Sequence, residues 1–595
     1  MAAKNEDHSP ADPVALMARL MWLWPRLGLA ISHGGYQRMR EVTGLDYSLI
    51  DYQGLWSAAS RFALASWLRP TLAFEAQVEL LRRGLAVWEH LTLTSEEPWT
   101  QRSTPDKRFS DKVWREDPAL RALKEFYLLY CDWVLTQVRK CTDLSGHEKR
   151  KLEFYTRQWL SALAPTNFAM TNPKVCTRAF ESNGASLVEG LAHLVIDLEN
   201  GKGLIPITQS DPSAFVVGRD IAITPGVVVY RNDLMELIQY APRTDTVFKR
   251  PLLFVPPWIN KYYVLDLRPQ NSFFRWLIDQ GHTVFVISWV NPDERHTQKG
   301  FDAYLREGPL AAIRIVQRIT GEDEINLGGF CIGGMLAVCT LAYLAAVGNV
   351  PVRSATLLAT MVDLTEIGDA SVFIDEAQLR NIEKHTRRTG FLGGHHMRDM
   401  FSLLRENDLI WNYVVSSYLM GRDPPPFDIL HWNSDSTHLP ARMLRDFLRD
   451  IYMENSLVQR GTLQLAGQAI DVRRIKTPCY FLSTIDDHIS PWRACYPATQ
   501  FFSGPVTFVL GKSGHIAGVI NPPSQNKYGY WTGSRYPEDP DLWHAEAEPR
   551  DGSWWPHWAS WLAPHGGERV QARPPGRSNE FPALAEAPGH YVLAK

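Results

Sequence analysis

Cysteine is scarce in this chain, seven among 595 residues. The seven (Cys131, Cys141, Cys176, Cys331, Cys339, Cys479 and Cys495) include no Cys-x-x-Cys pair. That scatter argues against a zinc ribbon and against a dense disulfide framework, and it fits a reducing, cytoplasmic setting. An excess of charge of either sign is also missing: 62 Lys and Arg stand against 65 Asp and Glu, a formal net charge of −3. Without a broad basic field, neither nucleic acid nor an anionic membrane is an expected partner. A clean apolar run of about 20 residues, as a membrane span requires, is absent as well. The apolar stretch Val14 to Ala30 is interrupted by Arg19, Pro25 and Arg26, so no transmembrane segment is expected, and packing on its own domain is preferred to docking on a foreign apolar surface. The acidic start, Met1 to Pro13, lacks the basic n-region of a secretory signal and is expected to be mobile. The adjacent His395 and His396 should diverge and have no carboxylate spacing beside them, so no metal is expected.

What is present is a 45% hydrophobic composition, enough for a large core in a chain of this length. From about Leu45 to Glu199 the pattern is helical. Phe74, Val78, Leu81, Leu85 and Trp88 share one helix face, as do Leu120, Leu123, Tyr127, Tyr130, Val134 and Val138, and both read as packing stripes. The period breaks between Thr92 and Pro105 and again at Pro165 to Asn167. Near Gly201 the texture changes to β-rich runs, which places a boundary between a helical domain, 1–200, and a second domain, 201–595. Downstream, the apolar runs Leu252 to Val255, Thr283 to Trp289, Ile325 to Phe330 and Ala355 to Thr360 alternate with amphipathic stretches. Such alternation predicts an α/β fold with a parallel sheet covered on both faces. It lapses over about 363–440, read as a cap insertion, and resumes at Pro478 to Ser483 and Val506 to Leu510. Trp554, Trp555, Trp558 and Trp561 read as packing, and the Pro- and Gly-rich tail after Leu562 as an extended surface segment.

One stretch carries the chemistry. Ile325 to Phe330 reads as a strand, the frame Gly329-x-Cys331-x-Gly333 as a tight turn, and Met335 to Ala346 as a buried helix. This is the nucleophile elbow of α/β-hydrolases with sulfur in place of the serine oxygen. After the later strands come Asp486-Asp487-His488 and Gly514-His515, the chain order nucleophile, acid, histidine. Cys331 would be the nucleophile, His515 the base that ionises it, and an Asp the group that orients the His. The oxyanion would be met by the backbone N–H of Ile332 and by one from the loop after Leu252 to Phe254, assigned to Ile259. A thioester formed on Cys331 stays activated toward an alcohol, so the sequence leans to acyl transfer over hydrolysis.

The elbow Gly328 to Gly334, the loop Val255 to Leu267, Trp289 to Asp293, His431 to Thr437, Asp487 to Trp492 and Gly514 to Pro523 resemble polyhydroxyalkanoate synthases. So do Asp106 to Phe109 and Pro165 to Pro173 in the helical region, which extends the resemblance to nearly the whole chain. Length and the Phe330-Cys331-Ile332 elbow are similar to the single-subunit, short-chain class of that family. The resemblance implies an α/β-hydrolase catalytic domain that polymerises (R)-3-hydroxyacyl-CoA, with 3-hydroxybutyryl-CoA expected, releasing coenzyme A and needing no cofactor. It implies Asp487 as the triad acid, since this position precedes His-Ile in the motif, either orienting His515 or helping to activate the attacking hydroxyl, with His488 as a neighbour and Trp432 and Asp435 in supporting roles. It implies a homodimer at the surface of a cytoplasmic polyester granule with phasin-like partners, and a helical domain serving association. Trp258 and Ile485-Asp486 depart from the family pattern. The rival readings are a Cys-dependent acyl-CoA thioesterase or polyester hydrolase of the same fold, and a non-catalytic granule-coating protein.

Overall fold

The computed structural model describes residues 12–43, 46–93, 106–201 and 207–595, so the expectations for residues 1–11 and for most of the break before Pro105 lie outside the described residues. The chain divides into two compact units, one of the residues up to Asp211 with Asp399–Pro425, the other of Pro212–Arg398 with Pro426–Lys595.

The first unit is helical: α1 (Pro13–Val42), α2 (Tyr52–Leu68), α3 (Pro70–Leu93), α4 (Pro118–Lys140), α5 (Gly146–Ala162) and α6 (Ala185–Asn200) are its long helices. Side-chain caps start them where the sequence supplies an oxygen: Asp12 for α1, Asp51 for α2, Asp117 for α4 and a Ser145/Glu148 capping box for α5. Pro25 and the two arginines do not break α1, which runs 30 residues. Its Leu23 and Ala30 are buried, and Leu23 packs with Val188, Ala192 and Val195 of α6. Arg19 and Arg26 pair with Glu189 and Glu199 of the same helix. The two arginines therefore face α6 as ion pairs while the helix continues past Pro25. By length and composition alone α1 is long and apolar enough to cross a membrane, and Met21, Trp22, Trp24, Leu29 and Ile31 on it are exposed.

The α3 stripe is not the packing face its spacing suggests. The stripe Phe74, Val78, Leu81, Leu85 and Trp88 does share a face of α3, but that face is 45–70% exposed. The helix instead turns Val87 inward and accepts the Trp133 indole N–H of α4 at Ala76 O, 2.9 Å. Spacing identifies a common face; it does not say that anything covers it. The α4 stripe is divided, with Val138 buried and Leu123 and Tyr130 exposed.

Asp399–Pro425, expected within the cap, packs with these helices. Glu406 accepts Ser161 Oγ at 2.9 Å and Gln158 Nε2 at 3.3 Å, and Tyr418 donates to Asp197 Oδ2 at 2.6 Å. The same segment and the two N-terminal motifs line a cleft of about 840 Å³. There Arg108 is clamped by Asp106 at 2.8 Å and donates to Tyr127 Oη at 3.2 Å, while Asn167 and Asn172 tie down the carbonyls of Ser161 and Thr166.

The second unit is built on a sheet of eleven strands among the described residues: β1 (Gly226–Arg231), β2 (Met235–Tyr240), β3 (Leu252–Val255), β4 (Val284–Trp289), β5 (Ile325–Phe330), β6 (Val352–Leu358), β7 (Cys479–Thr484), β8 (Val506–Gly511), β9 (Tyr530–Thr532), β10 (Glu548–Arg550) and β11 (Ala585–Glu586). Their spatial order is β10-β9-β8-β7-β6-β5-β3-β4-β2-β1-β11. The six central strands, β8 to β4 in that order, pair in parallel; the outer pairs are antiparallel. The central strands β3 to β5 and β7 are buried along their whole length, as both-face coverage demands of uninterrupted apolar runs. Among the covering helices are α7 (Phe273–Asp279), α8 (Pro309–Thr320), α9 (Ile332–Val347) and α10 (Trp555–Gly566). Trp554, Trp555 and Trp558 are buried and pack their rings on Phe273 at 5.0–5.8 Å. The tail beyond α10 is paired rather than merely laid on the surface: Arg569–Gln571 pairs with Thr246–Phe248, and β11 pairs with β1 at the sheet edge. This is the α/β-hydrolase fold, with the cap residues 363–398 and 426–440 in the same unit.

Candidate active site

The central feature is the turn between β5 and α9. Cys331 has φ 53° and ψ −125°, a conformation costly for any residue with a Cβ and found where surrounding structure over-determines it. Here the constraints are visible. Its N–H donates to Leu358 O at 2.8 Å and its carbonyl accepts Met335 N at 3.1 Å. The glycines make the turn possible by close approach: a Cβ on Gly329 would lie 2.6 Å from Gly334 Cα, and one on Gly333 would collide with the Val255 and Pro256 carbonyls. Helix α9 is buried over most of its length, so strand and helix grip the turn from both sides. Cys331 is 5% exposed.

The acid and the histidine follow β7 and β8, whose ladder extends past the strand ends: Ile485 N donates to Gly511 O at 2.9 Å and Asp486 N to Ser513 O at 3.1 Å. Those two bonds hold the acid loop and the histidine loop in register. Asp487 is buried and Asp486 exposed. One oxygen of Asp487, Oδ2, receives His515 Nδ1 at 2.6 Å. The other, Oδ1, accepts the backbone N–H groups of Ile489 and Ser490 at 2.9 and 2.8 Å, which fixes the carboxylate before it meets the ring. Phe330 stacks on the imidazole at 5.2 Å. Burial alone would pull the His515 pKa down. Asp487 and Cys331, each acting by charge and by a side-chain hydrogen bond, more than offset it and push it up to about 10. The ring therefore bridges carboxylate and thiol, and it carries a proton at neutral pH.

The other expected residues fall as follows. Ile332 opens α9, where its N–H has no intrahelical acceptor and points with the positive end of a 16-residue helix. The loop after β3 lies against that end at Gly333 through Val255 and Pro256, with Ile259 half-buried further along it. Trp258 is buried among Trp289, Phe301, Tyr304 and Phe447, and its carbonyl accepts Thr437 Oγ1 at 2.8 Å. Trp432 and Asp435 do not approach through any hydrogen bond to the triad; they anchor this loop. The Trp432 indole donates to Lys261 O at 2.7 Å, Lys261 Nζ pairs with Asp435 at 2.7 Å, and Tyr263 donates to Asp435 Oδ2 at 2.8 Å. His488 is half-buried beside Asp487. His395 and His396 do not diverge as expected: their ring centroids lie 3.9 Å apart, with the ring planes tilted by 43°. Among the described residues no group of three or more His, Cys, Asp or Glu could hold a metal ion.

Two neighbours of the thiol escaped the sequence reading. Ser490, 1% exposed, places Oγ 3.8 Å from Cys331 Sγ. Tyr452, in the π-helical turn Phe447–Met453, has its pKa raised by burial and further by Cys331. The Asp487-x-x-Ser490 spacing, typical of a turn capped by an Asp side chain, was the one local signal available for Ser490; Tyr452 offered none. Burial pushes Cys339 up to about 12, and Cys479 and Cys495 higher, which leaves them inert.

Comparison with known proteins gives the family. A family profile described as "Poly-beta-hydroxybutyrate polymerase (PhaC) N-terminus" matches residues 105–277, and one described as "alpha/beta hydrolase fold" matches 252–522. A "Poly(3-hydroxyalkanoate) polymerase" of Methylorubrum extorquens is 46% identical over 89% of this chain and 88% of its own length. The corresponding polymerase subunit of Rhizobium meliloti is 45% identical over 89% and 87%, and that of Cupriavidus necator 42% over 82% and 83%.

Proposed function

The chain belongs to the poly(3-hydroxyalkanoate) polymerases, an acyltransferase family, and from that membership we propose that it polymerises (R)-3-hydroxyacyl-CoA through a covalent acyl-Cys331 intermediate. The observation that carries the mechanism is the Asp487–His515 bond of 2.6 Å, with Cys331 acting on the same ring. The Cys331 thiolate attacks the thioester carbonyl. The C–S bond to coenzyme A breaks, and the departing sulfur takes the proton from His515. The hydroxyl of a second acyl unit or of the chain end then attacks the acyl-Cys331 carbonyl, gives its proton to His515, and releases the Cys331 thiolate. An ester bond has formed and one coenzyme A has left per unit added. Ile332 N–H, with Ile259 N–H from the anchored loop, is assigned to the oxyanion at each tetrahedral stage. Asp487 keeps Nδ1 protonated and the ring aimed. Coenzyme A enters as part of the substrate, and no cofactor is assigned.

The acyl unit is assigned as 3-hydroxybutyryl. The working form is assigned as a homodimer at the surface of a cytoplasmic polyester granule that also carries phasin-like proteins, with the helical unit serving association. Coenzyme A release from (R)-3-hydroxybutyryl-CoA, followed with chain-length analysis of the acyl product, tests the reading. The wild-type chain should release coenzyme A into growing polyester, and Cys331→Ala should reduce release at least about 10³-fold. Free hydroxybutyrate as the main product would place the chain with thioesterases or hydrolases, and polymer made by Cys331→Ala would remove the nucleophile assignment.

A further inference from the structure

We propose that Ser490 is a catalytic residue, whose hydroxyl donates a hydrogen bond to the Cys331 thiolate. The inference rests on Cys331 being the nucleophile. Ser490 is 1% exposed, and a buried hydroxyl is costly unless it is hydrogen-bonded. The partner of its Oγ is Cys331 Sγ, 3.8 Å away, within reach for sulfur. A thiolate has no proton to give, so in the ionised state the pair has one polarity, O–H to sulfur. The hydroxyl is also held in place: Ser490 N–H is bound at 2.8 Å by Asp487 Oδ1, the carboxylate whose other oxygen holds His515 at 2.6 Å. A single side chain therefore positions both Ser490 and His515 against the sulfur.

The consequence is directional, since hydrogen bonds to charged acceptors are stronger than those to neutral ones. Ser490 favours thiolate over thiol before attack, and it favours thiolate over thioester when the acyl group leaves. In that second step the C–S bond breaks and its electron pair goes to sulfur. The incoming hydroxyl forms the new C–O bond and passes its proton to His515, while the Ser490 proton stays on its own oxygen throughout. The other titratable groups acting on Cys331 come from separate elements: His515 after β8, Tyr452 from Phe447–Met453 and Cys495 after β7. They remain in every Ser490 variant, so a change between variants reads the hydroxyl.

The test is the pH dependence of Cys331 alkylation by iodoacetamide in the full-length protein. It is read by mass spectrometry on the peptide that contains Cys331, so that the exposed Cys176 does not contribute. Ser490→Ala should move the midpoint upward by about 0.5–1.5 pH units, roughly 3- to 30-fold less thiolate below the midpoint. Ser490→Thr, which keeps the hydroxyl, should stay near wild type, whereas its isostere Ser490→Val should titrate like Ser490→Ala. A Ser490→Ala midpoint equal to that of wild type overturns the proposal. Should Ser490→Ala fail to fold, the Thr and Val pair decides it, and equal midpoints in those two overturn it. Alkylation needs no polymer, so a shifted midpoint in a chain that forms no polyester would sustain this inference while the polymerase reading fell.

Discussion

At the residue scale, the His515 imidazole couples catalysis to stability. Its pKa in the folded chain is about 10, against an unfolded value near 6.5. A group raised on folding contributes stability that is complete below the unfolded pKa and is lost as pH rises through the folded one. Wild-type stability should therefore decline between about pH 6.5 and 10 by on the order of a few kcal/mol more than in His515→Gln, measured as urea midpoints across that range. Cys331→Ala should fall between the two, because it removes one of the two groups that raise the ring. Parallel curves for wild type and His515→Gln would refute this account. Cys331 and His515 were legible as residues because the elbow and the order of three loops survive as linear pattern. The choice of Asp487 over its neighbour came from the resemblance, and the structure buries the one while exposing the other. Tyr452 was not legible, and Ser490 only as the end of an Asp487-x-x-Ser490 turn, since what sets both apart is nearness to a sulfur 121 and 159 positions away in the chain, respectively, and periodicity carries no such information.

At the element scale, the site is a junction of four strand ends, those of β3, β5, β7 and β8, with one helix start. The loop after β3 is pressed on the start of α9 at Gly333, and from outside it is pinned by Trp432, Asp435 and Thr437. Gly333→Ala would force a Cβ into the Val255 and Pro256 carbonyls and separate loop from helix. Overpacking of this kind costs about 1–3 kcal/mol. Losing an oxyanion donor costs about 10²–10³ in kcat, so activity should fall by about 10²-fold in enzyme that is still folded, checked by single-turnover acylation beside a thermal melt. Trp432→Phe, which keeps the ring and loses only the 2.7 Å bond to Lys261 O, should lose less. If Gly333→Ala acylates at the wild-type rate, the loop does not help to form the oxyanion site. The strands were legible because buried parallel strands are continuous apolar runs, and α9 because it is apolar all round. The α3 stripe misled for the same physical reason in reverse: amphipathic spacing marks a face, and only tertiary packing determines whether that face meets core or solvent.

At the scale of the whole molecule, the residues with recognisable chemistry lie in one unit and the exposed apolar helix faces in the other. The change of texture near Gly201 was visible because composition shifts there. The return of Asp399–Pro425 to the helical unit was not, because it rests on pairs such as Ser161 with Glu406 that are 245 positions apart. Along α3, Phe74, Leu81, Leu85 and Trp88 are 58–70% exposed, and α1 adds Met21, Trp22 and Trp24. Monomeric proteins seldom leave apolar helix faces of this kind uncovered unless they are used. If the helical unit serves association at a polyester surface, as proposed, then charge placed on α3 should weaken attachment without touching the chemistry. Leu81→Glu with Leu85→Glu should lower the fraction bound to amorphous poly(3-hydroxybutyrate) particles several-fold, because each substitution replaces burial worth about 1.5–3 kcal/mol with a carboxylate that resists desolvation. Coenzyme A release in particle-free solution should stay within about twofold of wild type, since exposed surface substitutions rarely change stability by more than about 0.5 kcal/mol. Binding equal to wild type would remove α3 from the association surface. Loss of both binding and release would instead place α3 within an assembly that the catalytic unit needs, which sedimentation of the variant beside wild type would reveal as a change of oligomeric state.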